Sequence, residues 1–303
     1  MITVVCLTPC LDETIYMPSF VVGGTNRPSG RQVVAAGKGV NVAMNLAQMG
    51  ESVTLAIYKY QNRSELLMET IAAAGFKCIA IDVPGTLRTN LKLMDQSTGV
   101  TTEINAKGEP VPEEAVAAME EVLVTAARES SWLVLNGSLP KDFPQDFYAR
   151  VIRRMRAEDI PCRIALDAEG APLTLGIAEK PDFVKPNRHE LELLVGRKLP
   201  TDADVAAAAA QVVAQGVETV IVSMDSAGSM LTTAEQQVFA DAVPVEVVTT
   251  VGAGDALVSG YLIAAAAGKD ALEAFRCGVA CATARVAGRD GHMADYLSQV
   301  TLR

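Results

Sequence analysis

The chain has 303 residues, half of them hydrophobic, and 26 basic against 36 acidic side chains give a net charge of −10. That composition predicts a globular fold with a sizeable core and excludes disorder, collagen-like repeats and a disulfide-stapled miniprotein. An acidic surface of this size argues against nucleic acid or an anionic membrane as partner, since either would need a basic face.

Short β-rich runs alternate with longer helical windows along the chain. Strands are predicted over 3–7, 53–58, 132–135, 163–166, 183–184 and 219–223. Helices are predicted over 41–49, 64–74, 112–128, 145–156, 187–195 and 202–215, and 253–297 reads as helix nearly throughout. Such alternation implies an α/β fold, a doubly wound and mainly parallel sheet with helices on both faces. Two stretches break it. Residues 14–34 and 88–105 are strand-like without a helix inside, and Gln96-Ser97-Thr98-Gly99 suits a hairpin turn. They are read as a small β-sheet lid on one large domain covering 1–303, because no low-complexity linker or repeat divides the chain.

Residue counts narrow the chemistry. With only His189 and His292 available, a three-histidine metal centre is impossible. The six cysteines include no C-x-x-C pair, which favours small buried side chains in a cytoplasmic protein over a zinc site. The first residues run directly into a strand without a basic leader, and no apolar stretch approaches 18 residues.

Three segments can carry function. Thr249-Thr250-Val251-Gly252-Ala253-Gly254-Asp255-Ala256 precedes a helical window, so its glycines let helix-start amides approach an anion. Asp255 there is either a proton acceptor for a substrate hydroxyl or a plain acid in the first helical turn. Ala35-Ala36-Gly37-Lys38-Gly39-Val40-Asn41 is a second glycine turn opening a helix, with Lys38 and Asn41 as donors. Lys185-Pro186-Asn187-Arg188-His189-Glu190 follows an apolar strand. Asn187 and Glu190 share a helix face there, as magnesium ligands through water or as a capping box. Neither glycine loop is a dinucleotide fingerprint or a Walker loop, since Leu257 replaces the third glycine of the first and Gly39 follows Gly37-Lys38 in the second.

Taken together and in this order, these motifs resemble those of the ribokinase-type (PfkB) carbohydrate kinases. Residues 249–255 are similar to the family's signature loop, 37–43 to its N-terminal signature, and Asn187-x-x-Glu190 to its magnesium-associated motif. Thr8-Pro9-x-x-Asp12, Arg88-Thr89-Asn90 and Asn136-Gly137-Ser138-Leu139-Pro140 resemble the hexose-phosphate branch, in which the arginine holds the phosphate already on the sugar.

The resemblance implies one ribokinase-like kinase domain and specific residue roles. Asp255 would be the base, with Gly252, Ala253 and Gly254 donating amides to the transferring phosphoryl group. Asp12, Gly37, Asn41 and Ser138 would lie at the sugar, while Arg27, Lys38 and Arg88 face its phosphate. Lys185, Asn187, Ser223 and Gly228 would line the ATP site with Gly254, and Glu190 would order Mg²⁺ through water. The implied reaction is ATP-dependent phosphorylation of fructose 1-phosphate, with tagatose 6-phosphate or fructose 6-phosphate as alternative acceptors. A homodimer through the lid is a further expectation, because an exposed sheet edge invites pairing. A sugar-binding regulator without catalysis is the distant alternative, opposed by Asp255. The chain departs from the family pattern at Ala36, Thr8, Glu13 and Thr25, and the last two remove positive charge near the sugar-phosphate site.

Overall fold

Apolar runs that are buried on both faces set the architecture. The computed structural model describes all 303 residues. Strands β1 (Ile2–Cys6), β4 (Val53–Asn62), β5 (Lys77–Thr86), β8 (Trp132–Asn136), β9 (Arg163–Asp167), β10 (Phe183–Val184) and β11 (Thr219–Ser223) run parallel. An antiparallel hairpin, β12 (Ser229–Thr232) and β13 (Gln237–Ala240), extends them into a nine-stranded sheet ordered β13-β12-β11-β10-β9-β8-β1-β4-β5. Every residue of β1 and β8 is buried, as expected where helices cover both faces of a parallel sheet.

Helices α1 (Lys38–Gln48), α2 (Glu65–Ala74), α3 (Glu113–Ala127), α4 (Phe147–Ala157), α6 (Arg188–Val195) and α7 (Asp202–Ala214) fall within the predicted windows or a few residues from their ends. The C-terminal region departs from a near-continuous helix. It divides into α8 (Ala253–Ala266) and α9 (Ala271–Val286), followed by short 3-10 turns. Asp270 caps α9 by accepting from the Glu273 amide at 2.8 Å, and Gly268 before it has a left-handed φ of 79°. Helix α5 (Gly170–Ala178), strand β5 and the β12–β13 hairpin lie outside the predicted elements. The physical reasons are local: α5 starts Gly-Ala-Pro, and β5 is an edge strand carrying Asp82, Pro84 and Gly85.

The second sheet joins β2 (Cys10–Met17), β3 (Gly30–Ala36), β6 (Thr89–Asp95) and β7 (Thr101–Ile104) in the order β3-β2-β6-β7. It begins at Cys10 rather than near residue 14, and residues 18–29 connect β2 to β3 without being strand. Strands β6 and β7 pair antiparallel through Met94 and Thr101 around the predicted turn. No helix is long and apolar enough to cross a membrane. All six cysteines are free, and no group of three or more His, Cys, Asp or Glu side chains gathers as a metal cluster.

Candidate active site

Parallel strands deliver their last residues to one edge, where open α/β sheets bind ligands. Here β1 leads to Thr8, β8 to Asn136-Gly137-Ser138, β9 to Asp167, β10 to Lys185 and β11 to Ser223. The starts of α1 and α8 meet at the same edge, joined by the Asn41 amide donating to Asp255 Oδ2 at 2.8 Å. Close packing of α1 on the sheet depends on Gly39, where a Cβ would lie 2.2 Å from the Val5 carbonyl oxygen.

Gly252 caps α8 in the left-handed region, φ 81°, with no side chain satisfying the helix start. The Gly254 and Asp255 amides have no acceptor within the protein, whereas the Ala253 amide already donates to the Thr250 carbonyl at 3.3 Å. Of the three loop residues expected to offer amides, Ala253 is therefore engaged in the turn. A Cβ on Gly254 would sit 3.4 Å from Lys185 Nζ, which places the lysine directly beside the helix start.

Asp255 is 6% exposed. Burial pushes its carboxyl up to about 6, with Lys38, Asn41 and Lys185 opposing the rise and Asp167 adding to it. Lys38 Nζ lies 3.0 Å from Asp167 Oδ1, and Lys185 Nζ lies 3.4 Å from the same oxygen. Burial works against the charge on Lys38, but Asp167, Asp255 and Glu190 outweigh it and hold the ammonium charged. Burial likewise pushes the Asp167 carboxyl up, yet Lys185 and Lys38 outweigh it and keep it below the usual carboxylate range.

Beside this cluster opens a cavity of about 530 Å³, lined by Ser223, Gly228, Val245, Thr250, Gly254 and Thr283 among others. Its size suits a nucleotide-sized ligand. Asn187 and Glu190 form a complete capping box at α6: the Glu190 amide donates to Asn187 Oδ1, and the Asn187 amide donates to Glu190 Oε2, both at 2.8 Å. Glu190 Oε1 stays outside the box, so the cap does not use up the carboxylate.

On the side of the small sheet, Asp12 is held before any ligand arrives. Its Oδ2 pairs with Lys92 Nζ at 2.6 Å, and Oδ1 accepts from the Asn90 amide at 3.0 Å and the Cys10 thiol at 3.4 Å. Ser138 bonds Thr8 Oγ1 through both its hydroxyl, 3.0 Å, and its carbonyl, 3.1 Å. Gly37 precedes α1 with φ 124° and packs against Cys6 and Pro9.

Two expected phosphate ligands are placed differently. The Arg88 guanidinium donates to the carbonyls of Thr8 at 2.8 Å, Ala106 at 2.9 Å and Pro9 at 3.4 Å, so it ties loops together in this conformation. Arg27 is exposed on the loop between β2 and β3. Register pairs Asp12 with Val34 and Tyr16 with Gly30, which leaves Arg27 beyond roughly 13 Å of strand from Asp12 of its own chain. Asp167 and Lys92 enter the site without any motif having pointed to them. Alternation was the available signal for Lys92, two residues from Asn90 on one face of a strand.

A buried carboxylate at a glycine-capped helix start, two lysines beside it and a nucleotide-sized cavity suit a phosphotransferase acting on a hydroxyl. Residues 7–292 match the model of the pfkB family carbohydrate kinases. The 1-phosphofructokinase of Rhodobacter capsulatus is 35% identical over 299 residues, covering 98% of this chain and 92% of that one. That of Bacillus subtilis is 30% identical over 300 residues, covering 99% and 97%. Phosphofructokinase-2 of Escherichia coli, solved with fructose-6-phosphate, superposes with a TM-score of 0.89 at 26% identity, covering 98% and 99%. The chain belongs to the pfkB family of carbohydrate kinases. It is a sugar kinase, and it transfers a phosphoryl group from ATP to a hydroxyl of its substrate.

Proposed function

We propose that this kinase is a 1-phosphofructokinase, converting fructose 1-phosphate and ATP to fructose 1,6-bisphosphate and ADP. The supporting observation is Asp255, buried, held by Asn41 and lying beside the open amides of α8. The names of the full-length relatives supply the substrate. Asp255 takes the proton of the 6-hydroxyl as its oxygen attacks the γ-phosphorus, and the bond from that phosphorus to the ADP oxygen breaks. Gly254 and the α8 start stabilise the equatorial oxygens, and Lys38 and Lys185 neutralise charge on either side. Asp12 and Asn41 orient sugar hydroxyls, with Gly37 and Ser138 shaping the same wall.

Ser223, Gly228 and Asn187 border the nucleotide. Magnesium suits Glu190, whose Oε1 is a hard oxygen donor outside the capping box and can hold the ion through water. When bound, the ion would offset the negative charge of the ATP phosphates. Lys38, Arg88 and Arg27 are the basic candidates for the sugar phosphate. Arg88 would have to exchange a carbonyl for a phosphate oxygen to serve it directly.

Tagatose 6-phosphate and fructose 6-phosphate are the competing acceptors, the latter favoured by the ligand of the E. coli neighbour. Coupled assays for ADP across the three sugar phosphates, ribose and a nucleoside decide the matter. Fructose 1-phosphate should have the highest kcat/KM, and turnover restricted to unphosphorylated sugars would sink the proposal. We also read the chain as one kinase unit with the small sheet as its lid, working in the cytoplasm, as its free cysteines favour. Exposed Val34, Val100 and Ile104 on or beside the lid strands favour a homodimer, which light scattering would register as twice the chain mass.

A further inference from the structure

Asp167 ends β9 and is 1% exposed. One of its oxygens, Oδ1, faces both Lys38 Nζ at 3.0 Å and Lys185 Nζ at 3.4 Å. The lysines come from different elements: Lys38 from the first turn of α1 on the sugar side, Lys185 from the end of β10 on the nucleotide side. The other oxygen, Oδ2, is buried without a partner, as are both amide atoms of Asn136, the register neighbour of Asp167 on β8. A negative charge therefore lies beneath two cations at a site that must accept two anionic substrates. For simple phosphate binding this is counterproductive, since it repels phosphate and competes for both ammoniums.

We infer that Asp167 is a positioning residue of the transfer step: it fixes Lys38 and Lys185 at separate places and restrains them from over-binding ground-state phosphates. Interactions that bind substrate and transition state equally do not raise kcat, so restraint of this kind favours turnover over affinity. Without Asp167 the two ammoniums are free to settle on whichever phosphate oxygens bind best, away from the geometry that transfer requires. The inference rests on the proposed placement of phosphates at these lysines, and it is indifferent to which ketohexose phosphate is the acceptor.

The test is Asp167→Asn, which keeps the shape and removes the charge. Wild-type turnover on the sugar panel comes first, and its absence would count against the proposed function, not against this inference. With the preferred sugar, kcat of the variant should fall about 10- to 100-fold, while KM for both substrates and the Kd for ATP fall or hold. Loss of packing alone would not tighten phosphate binding as turnover drops. A kcat within about twofold of wild type overturns the role. So does a rise in both KM values at constant kcat, or recovery of turnover at high magnesium, which would make Asp167 a metal-holding group. If the single variant does not fold, Asp167→Asn is made in a Lys38→Met, Lys185→Met background, where neither ammonium is left to position. Its kcat should then match that of the double lysine variant, and a further loss of about 10- to 100-fold would overturn the coupling.

Discussion

The floor of the site and the small sheet we read as its lid use charge in opposite ways. On the floor, Asp255, Asp167, Lys38 and Lys185 project from strand ends and helix starts, and burial amplifies each interaction among them. On the lid, Asp12, Asn90 and Lys92 occupy one face of a thin, partly exposed sheet and satisfy one another before any ligand binds. We therefore read the floor as organised for chemistry and the lid for recognition. Substitutions on the floor should change kcat and its pH dependence, while those on the lid should change the KM for the sugar phosphate and leave that for ATP alone.

The largest effect is expected at Asp255. Asp255→Asn keeps the contact with Asn41 but cannot accept a proton, and kcat should fall on the order of 10²–10⁴-fold. Single-turnover kinetics with both substrates saturating would measure it, and near wild-type turnover would remove the base. The pH profile is a second check. Because burial raises this carboxyl to about 6, kcat/KM should drop about tenfold per unit below that value, as the base becomes protonated. Stability moves the other way. A raised acid in the folded state binds its proton more tightly than in the unfolded chain. The contribution is therefore full at low pH and is lost as pH rises from the ordinary carboxylate range through about 6. Asp255→Asn should flatten that slope in urea titrations.

Arg88→Ala comes next and probes the seam between the regions. Three carbonyls, of Thr8, Pro9 and Ala106, lose their donor. Leaving these part-buried acceptors unpaired should cost about 1 kcal/mol of folding stability, read from urea midpoints. The KM for the sugar phosphate should rise about tenfold, and the KM for ATP should hold. Arg88→Lys should recover little, since one ammonium cannot reproduce a planar fork. A matching rise in both KM values would break the division between floor and lid.

What could be read from the chain alone follows the range of each interaction. Buried parallel strands are short apolar runs, so β1, β8, β9 and β11 are visible in composition. The glycine loops are visible because the constraint is local: Gly252 needs its positive φ, and Gly39 has no room for a Cβ. Edge strand β5 is hidden by its polar and Pro-Gly content, and the break between α8 and α9 by the alanine-rich flanks of Gly268. Asn187 and Glu190 are a capping box whose acid retains a free oxygen, so the two readings of that motif do not compete. The carbonyl partners of Arg88 could not be foreseen, because backbone acceptors leave no mark on sequence. Asp167 was equally invisible, since an aspartate ending a strand is ordinary until two lysines distant in the chain are brought to it.

The smallest effect, and the sharpest on the lid, belongs to Lys92. Its ammonium is the only partner of Asp12 Oδ2, and both side chains are 14% exposed. Lys92→Met frees one carboxylate oxygen while the Asn90 amide still holds the other. Asp12 should then rotate and bind sugar hydroxyls less well, raising the KM for the sugar phosphate roughly fivefold, the equivalent of about 1 kcal/mol. The value of kcat and the KM for ATP should stay unchanged, because nothing on the floor touches this pair. Lys92→Arg should restore most of the loss by keeping the charge within reach. If Lys92→Met lowered kcat instead, the lid would share in the chemical step, and the contrast between a reactive floor and a recognising lid would fail.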